Sequence, residues 1–207
     1  SPQLLNATFT LGPGDVVAPH LYDWQFDGVD DYIQLPSPPS PTLPFTLAGF
    51  ATVSSGMVDS KGHVYEGLYA GRLTIYKTGF VTANFYNGSS WVAYSVSGYP
   101  VDQPGFAAIA YTASGADTVA KIYVNGALKG QGTLKGQPAS TTYNARIGMF
   151  IAGYLERFKG TISVVIRYNR ELTGDEVSNL YGQHVLPGGS LALFLDATFF
   201  DGSKYVD

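Results

Sequence analysis

Short runs of alternating apolar and polar residues, separated by turn signals at close intervals, constrain this chain more than any other feature. Phe45 to Val53 sets Phe45, Leu47, Ala51 and Val53 on one side and Thr46, Ala48, Phe50 and Thr52 on the other. A pleated strand points successive side chains to opposite faces, so this is strand rather than helix periodicity. Leu73 to Tyr76 and Phe80 to Tyr86 follow, split by Lys77-Thr78-Gly79, and Asn87-Gly88 turns the chain into Trp91 to Val96. Phe106 to Thr112 and Val119 to Val124 come next, and Asn125-Gly126 leads into Ala127 to Thr133. Asn-Gly pairs favour hairpins because both residues tolerate positive φ. Ile162, Val164, Ile166 and Tyr168 alternate with Thr161, Ser163 and Arg167, with Val165 breaking the polar side, as in a half-buried strand.

One helix is expected, over about Gly174 to Tyr181. Thr173 and Glu176 have the spacing of a capping box, Leu172 and Val177 that of a hydrophobic staple, and Gly182 is placed to end the helix. Pro36-Ser37-Pro38-Pro39-Ser40-Pro41 reads as a stiff loop between strands. The fold class expected is therefore all-β: a two-sheet antiparallel β-sandwich of jelly-roll type, with one short helix near the C-terminal end.

Composition agrees with this and narrows function. Of 207 residues, 45% are hydrophobic and only 14% charged, with 25 glycines, 15 tyrosines and 12 phenylalanines. That suits a sizeable sheet core and argues against a helical bundle or a disordered chain. The net charge of −4 comes without any Lys/Arg cluster, so a nucleic acid is not the expected partner. With no cysteine, disulfides, thiol catalysis and zinc–thiolate sites are excluded together. No apolar run is long enough to span a membrane as a helix. Ser1 at the start reads as a processed or excised piece, and the sequons Asn6-Ala7-Thr8 and Asn87-Gly88-Ser89 lean toward an extracellular or cell- or virion-surface location.

The two ends echo each other: Leu5-Asn6-Ala7-Thr8-Phe9 matches Leu195-Asp196-Ala197-Thr198-Phe199. Residues 1–189 form the expected domain. Residues 190–207 are either its closing strand or the start of a second, truncated module in a longer tandem protein.

Several motifs occur together in one order. Phe26-Asp27-Gly28-Val29-Asp30-Asp31-Tyr32-Ile33 comes first, then Phe45-Thr46-Leu47, Tyr123-Val124-Asn125-Gly126, Arg146-Ile147-Gly148 and Gly160-Thr161-Ile162, and last Tyr168-Asn169-Arg170 with Leu172-Thr173. Over residues 20–185 this series resembles the laminin-G-like domains of the concanavalin A-like lectin/glucanase superfamily. The resemblance implies a two-sheet sandwich and, in many relatives, a calcium ion held on the rim. Ser163 and Val164 stand where the family usually has Asp-Glu, and Ile166 and Arg167 are swapped from its usual order. Calcium takes six to eight oxygens, so no metal site or cofactor is assigned. Asp27, Asp30 and Asp31 remain the cluster that can hold an ion, the other reading being a turn with solvated carboxylates.

The superfamily includes glucanases, but retaining glycosidases need two close carboxylates, commonly Glu-x-Asp-x-x-Glu on a sandwich strand. None of Glu66, Glu156, Glu171 and Glu176 has an Asp two residues on, and His20, His63 and His184 lack ligand or triad spacing. No enzyme is expected.

Aromatics are the remaining functional material, because a flat ring with a polar edge matches the C–H face and hydroxyls of a sugar. The candidate ligand-binding residues are Trp91, Tyr94, Tyr86, Tyr65 and Tyr69, with Arg72, Asn84 and Asn87 to hydrogen-bond hydroxyls; Tyr99 and Tyr154 are further loop aromatics. The function expected is non-catalytic extracellular recognition or adhesion through a glycan. The alternative is a structural or protein-interaction sandwich of a cell surface, appendage or virion, whose partner is a surface protein.

Overall fold

The computed structural model describes residues 23–150 and 156–197. The echo at Leu5–Phe9, the sequon at Asn6, His20, Tyr154 and residues 198–207 lie outside them. The first strands are β1 (Trp24–Asp27), β2 (Ile33–Gln34), β3 (Phe45–Val53) and β4 (Lys61–Glu66). A short 3-10 turn at Leu68–Ala70 precedes β5 (Arg72–Tyr76), β6 (Phe80–Tyr86) and β7 (Trp91–Ser97). Then come β8 (Gly105–Ser114), β9 (Asp117–Val124), β10 (Ala127–Leu134), β11 (Arg146–Ile147) and β12 (Lys159–Tyr168). The helix α1 (Gly174–Gln183) and β13 (Leu191–Asp196) complete the order.

Two antiparallel sheets stack face to face. The seven-stranded sheet runs β1-β12-β3-β8-β9-β10, with β13 also pairing β12; the six-stranded sheet runs β2-β11-β4-β5-β6-β7. β1 and β13 share one edge of β12: β1 pairs residues 159–162 and β13 pairs residues 164–168. The Pro-rich segment from Pro36 to Pro41 is the loop between β2 and β3, as expected.

The main core lies between the sheets. Phe45, Leu47, Ile109, Tyr111 and Ile122 of the larger sheet meet Leu73, Ile75, Val81 and Phe85 of the smaller one. A second core lies outside the larger sheet, where Leu172, Val177, Leu180 and Leu186 pack on Ala48, Phe50, Phe106, Val164 and Ile166. The two sides of β3 separate as its alternation predicts: Phe45, Leu47, Ala51 and Val53 join the first core, Ala48 and Phe50 the second.

Two sequence expectations are corrected. β12 is buried on both faces rather than half-buried, because the inter-sheet core covers one face and α1 with its flanks the other, and a bulge between Ile162 and Val164 shifts its phase. Ile162 and Val165 then face the inter-sheet core, and Val164, Ile166 and Tyr168 face α1. The helix also runs past Gly182. Its capping box at Thr173 and Glu176 is present, but His184, at φ 54°, takes the left-handed terminal position expected of Gly182. The packing of the His184 ring 5.4 Å from that of Phe50 accompanies this extension.

Candidate functional site

The outer face of β5 to β7 is built by strict alternation. Arg72, Thr74 and Tyr76 on β5, Thr82, Asn84 and Tyr86 on β6, and Trp91, Ala93 and Ser95 on β7 point away from the core that receives their neighbours. Register aligns them in rows: Arg72 opposite Asn84 opposite Ala93, Thr74 opposite Thr82 opposite Ser95, and Tyr86 opposite Trp91. The small Ala93 leaves room above its row, and a cavity of about 670 Å³ opens there. Its lining includes Tyr69, Arg72, Asn84, Tyr86 and Trp91, with Lys61, Tyr143, Phe150 and Glu156 from neighbouring segments.

Aromatic rings make one wall. Tyr69 lies 4.7 Å from Tyr86 and 5.8 Å from Trp91, and Tyr86 lies 5.6 Å from Trp91, between ring centroids. Trp91 is 45% exposed, an unusual state for so large an apolar side chain on a sheet. The Arg72 guanidinium sits 3.8 Å from the Trp91 ring centroid and 4.4 Å from that of Phe150, a cation held between two π faces.

A charged network supports the floor. Arg72 Nε lies 2.9 Å from Glu66 Oε1, and His63 Nδ1 lies 3.2 Å from Glu66 Oε2. His63 Nε2 lies 2.7 Å from Glu156 Oε2, and Lys61 Nζ 2.8 Å from Glu156 Oε1. Leu68 N–H donates to Glu66 Oε1 at 2.6 Å. The two carboxylates differ in environment. Burial raises the pKa of Glu66, against the opposing pull of His63 and Arg72. Burial also works to raise that of Glu156, but the hydrogen bonds and charges of His63 and Lys61 outweigh it and bring it down to about 2. Burial lowers the Arg72 pKa while Glu66 and Glu156 resist the shift. Three buried polar atoms in the Arg72 row lack a hydrogen-bond partner among the described residues: Arg72 Nε, whose contact with Glu66 is an ion pair, Arg72 Nη2 and Asn84 Oδ1.

The sequence-derived residues divide cleanly. Trp91, Tyr86, Tyr69, Arg72 and Asn84 come together in the cavity. Tyr65 does not: a bulge in β4 between His63 and Tyr65 turns it into the inter-sheet core, where it is 2% exposed. Tyr94 is out of phase with Trp91 and packs inward with Val92 and Val96, against Gly130 and Gly132 of β10. Asn87 shapes its loop instead of lining the cavity: its Oδ1 accepts from Ser89 N and Ser90 N, and its Nδ2 donates to the Lys135 carbonyl. Tyr99 is buried, and its hydroxyl donates to the Ala51 carbonyl.

Lys61, His63, Glu66, Tyr143, Phe150 and Glu156 were not anticipated. The period-two phase of Lys61 and His63 was the one available signal for β4. Glu156 and Phe150 arrive from a distant segment that no local pattern connects to this face.

The Asp27, Asp30 and Asp31 carboxylates cluster within 4.8 Å of one another. Two of them serve the turn itself, Asp27 Oδ1 accepting from Val29 N and Asp31 Oδ2 from Asp27 N. Counted as one oxygen from each carboxylate, the cluster supplies three ligands where calcium takes six to eight.

Comparison with known families decides the relationship. A laminin G family model, described as concanavalin A-like lectin/glucanases superfamily, matches residues 27–178. The chain belongs to this superfamily. Curated protein sequences gave no match. Among solved structures, a Bacteroides ovatus protein described as carbohydrate-binding aligns with TM-score 0.64 and 18% identity, over 87% of this chain and 52% of that one. This chain thus spans about half of that protein. The CBM40 domain of the Ruminococcus gnavus IT-sialidase, bound to α2,3-sialyllactose, aligns with TM-score 0.55 and 15% identity over 79% of this superfamily member and 100% of the domain. A SAP-like pentraxin of Limulus polyphemus aligns with TM-score 0.52 and 16% identity, over 89% of each chain. At these identities the likeness is one of fold.

Proposed function

We propose that the chain is a non-catalytic, extracellular recognition module that binds a glycan in the cavity over β5, β6 and β7. The observation that carries this is the half-exposed Trp91 beside Tyr69 and Tyr86, set over a polar floor that includes Arg72 and Asn84. Rings supply a flat face for the C–H side of a pyranose, and the floor supplies hydrogen bonds that orient it. The carbohydrate-binding description of the Bacteroides ovatus protein and the sialyllactose complex of the CBM40 domain support the same reading on this fold. Of the two carboxylates in the charged network, Glu66 is 1% exposed and held by Arg72 and His63, so it is not free to act on a substrate. The pairing of β13 along β12 supports residues 190–197 as the closing strand of this sandwich.

A glycan array probed with this chain, with and without calcium and alongside Trp91→Ala, tests the reading. Specific binding that the variant loses is the expected result. Absence of binding in both conditions would sink it and turn the search to a protein partner.

A further inference from the structure

We infer that the open face binds a stretch of several linked sugar residues laid along β6 and β7, not a single terminal sugar, with Trp91 as the platform at one end and Phe80 with Tyr76 at the other. This rests on the glycan-binding reading and names the ligand class of the same site.

The first argument is length. The lining of the cavity runs from Tyr86 and Trp91 at one end to Lys61 and Tyr76 at the other. Phe80 begins β6 and Tyr86 ends it, a separation of about 20 Å at the rise of a strand. A single pyranose ring covers a fraction of that track. The cavity of about 670 Å³ falls within the range of about 300–1,000 Å³ that holds a drug-sized ligand, and one sugar would leave most of it to water.

The second argument is what each part of the track offers. Trp91 is 45% exposed and Phe80 43%, and both lie in the outward phase of their strands. One exposed ring is ordinary on a protein surface, but two set at the ends of one open face mark a track. Arg72 backs the Trp91 ring 3.8 Å from its centroid, which holds that platform in place. Tyr76 and Phe80 flank the turn from β5 to β6, and Lys61 Nζ lies 5.9 Å from the Tyr76 ring centroid. Between the ends, Ala93 and Ser95 are exposed, and the Ser95 hydroxyl pairs with that of Thr82 at 2.7 Å. These small residues let a sugar ring approach the sheet. Polar groups within its reach stand along the track: the Ser95 hydroxyl, the exposed Tyr143, and the Lys61–Glu156 pair, whose side chains are 22% and 24% exposed. Arg72 and Asn84 are buried and support the floor from beneath this surface. Rings at the ends and reachable polar groups between them match a chain of sugars, whose C–H faces and hydroxyls recur with every residue.

The test is isothermal titration calorimetry on the whole chain with linear oligosaccharides of one to six residues, in glucose, xylose, mannose, N-acetylglucosamine and galacturonic acid series. Phe80→Ala, its combination with Tyr76→Ala, and Trp91→Ala are measured beside the wild type, with a thermal melt of each. Affinity for the recognised series should rise by about tenfold or more from one residue to four and then level off. Phe80→Ala should weaken ligands of four residues and longer by about twofold to tenfold, the weight of one stacking contact, and leave one and two residues bound as before. The double variant should lose at least as much, and Trp91→Ala should weaken every length. A merely structural role for Phe80 would instead weaken all lengths together. A single sugar bound as tightly as the six-residue ligand overturns the extended track and leaves the glycan reading intact. A length dependence unchanged in Phe80→Ala and in the double variant overturns the far platform and the inference with it; Phe80→Ala alone decides if the double variant does not fold. If no series binds at any length, the glycan reading itself fails and this inference falls with it.

Discussion

On the outer face of the seven-stranded sheet, α1 and its flanks lay Leu172, Val177 and Leu180 over Phe50, Phe106, Val164 and Ile166. On the outer face of the six-stranded sheet, β5, β6 and β7 present Arg72, Thr74, Thr82, Asn84, Tyr86 and Trp91, and a cavity stays open. Both faces start from the same pleat. They differ because β3, β8 and β12 carry apolar residues in both phases, whereas the outward phase of β5 and β6 is polar or tyrosine apart from Phe80 at the start of β6. An apolar outer face must be covered, and the chain supplies its own helix. A polar and aromatic outer face is tolerated in water and is left available to a ligand. On the proposed reading, the first face serves stability and the second recognition.

Substitutions separate the two roles. Leu180→Ala, at a fully buried helix position, should cost about 2–5 kcal/mol in denaturant unfolding and leave glycan affinity per folded molecule unchanged. An equal loss of affinity in the folded fraction would show that the faces are coupled. Trp91→Ala should do the reverse, weakening a bound glycan by about tenfold or more with a stability change below about 1 kcal/mol. Calorimetry and thermal melts on one preparation measure both.

A pH series sharpens the comparison at the open face. The folded pKa of Glu156 is depressed to about 2 from 4.5, so its stabilising contribution is present above about pH 4.5 and is lost as pH falls toward 2. Glu66 has the opposite sign: folding disfavours its ionised form, and its contribution improves as pH falls below its raised pKa. Glu156→Gln should therefore flatten the acid side of the stability curve between about pH 4.5 and 2. A variant curve parallel to the wild type would remove the His63 and Lys61 contacts as the cause. The smallest effect is expected at Lys121, whose ion pair with Glu171 is one-third exposed on each side: Lys121→Ala should cost under about 1 kcal/mol, less still at high salt.

Much of the open face was legible as a list of residues and less so as a geometry. Trp91, Tyr86, Tyr69, Arg72 and Asn84 could be proposed from chemistry and from their nearness to one hairpin. Tyr94 could have been set aside by counting, since three positions from Trp91 on one strand is the opposite face. Tyr65 could not, because the β4 bulge that reverses its phase leaves no local mark. The turn pairs differ in the same way: Asn125 and Gly126 both take positive φ, whereas at Asn87-Gly88 only Gly88 does, and Asn87 is engaged by Ser89, Ser90 and Lys135.

The sequence by itself determined the strands β3, β5 to β10 and β12, the two faces of β3, the capped start of the helix and the superfamily, because pleat period, turn chemistry and helix caps are local and act within a few residues. Only the tertiary structure decided the phase of β4 and β12, and only it brought Phe150 and Glu156 beside Arg72 and His63. Bulges and inter-segment contacts are settled by packing among residues far apart in the chain, where no short-range pattern records the outcome.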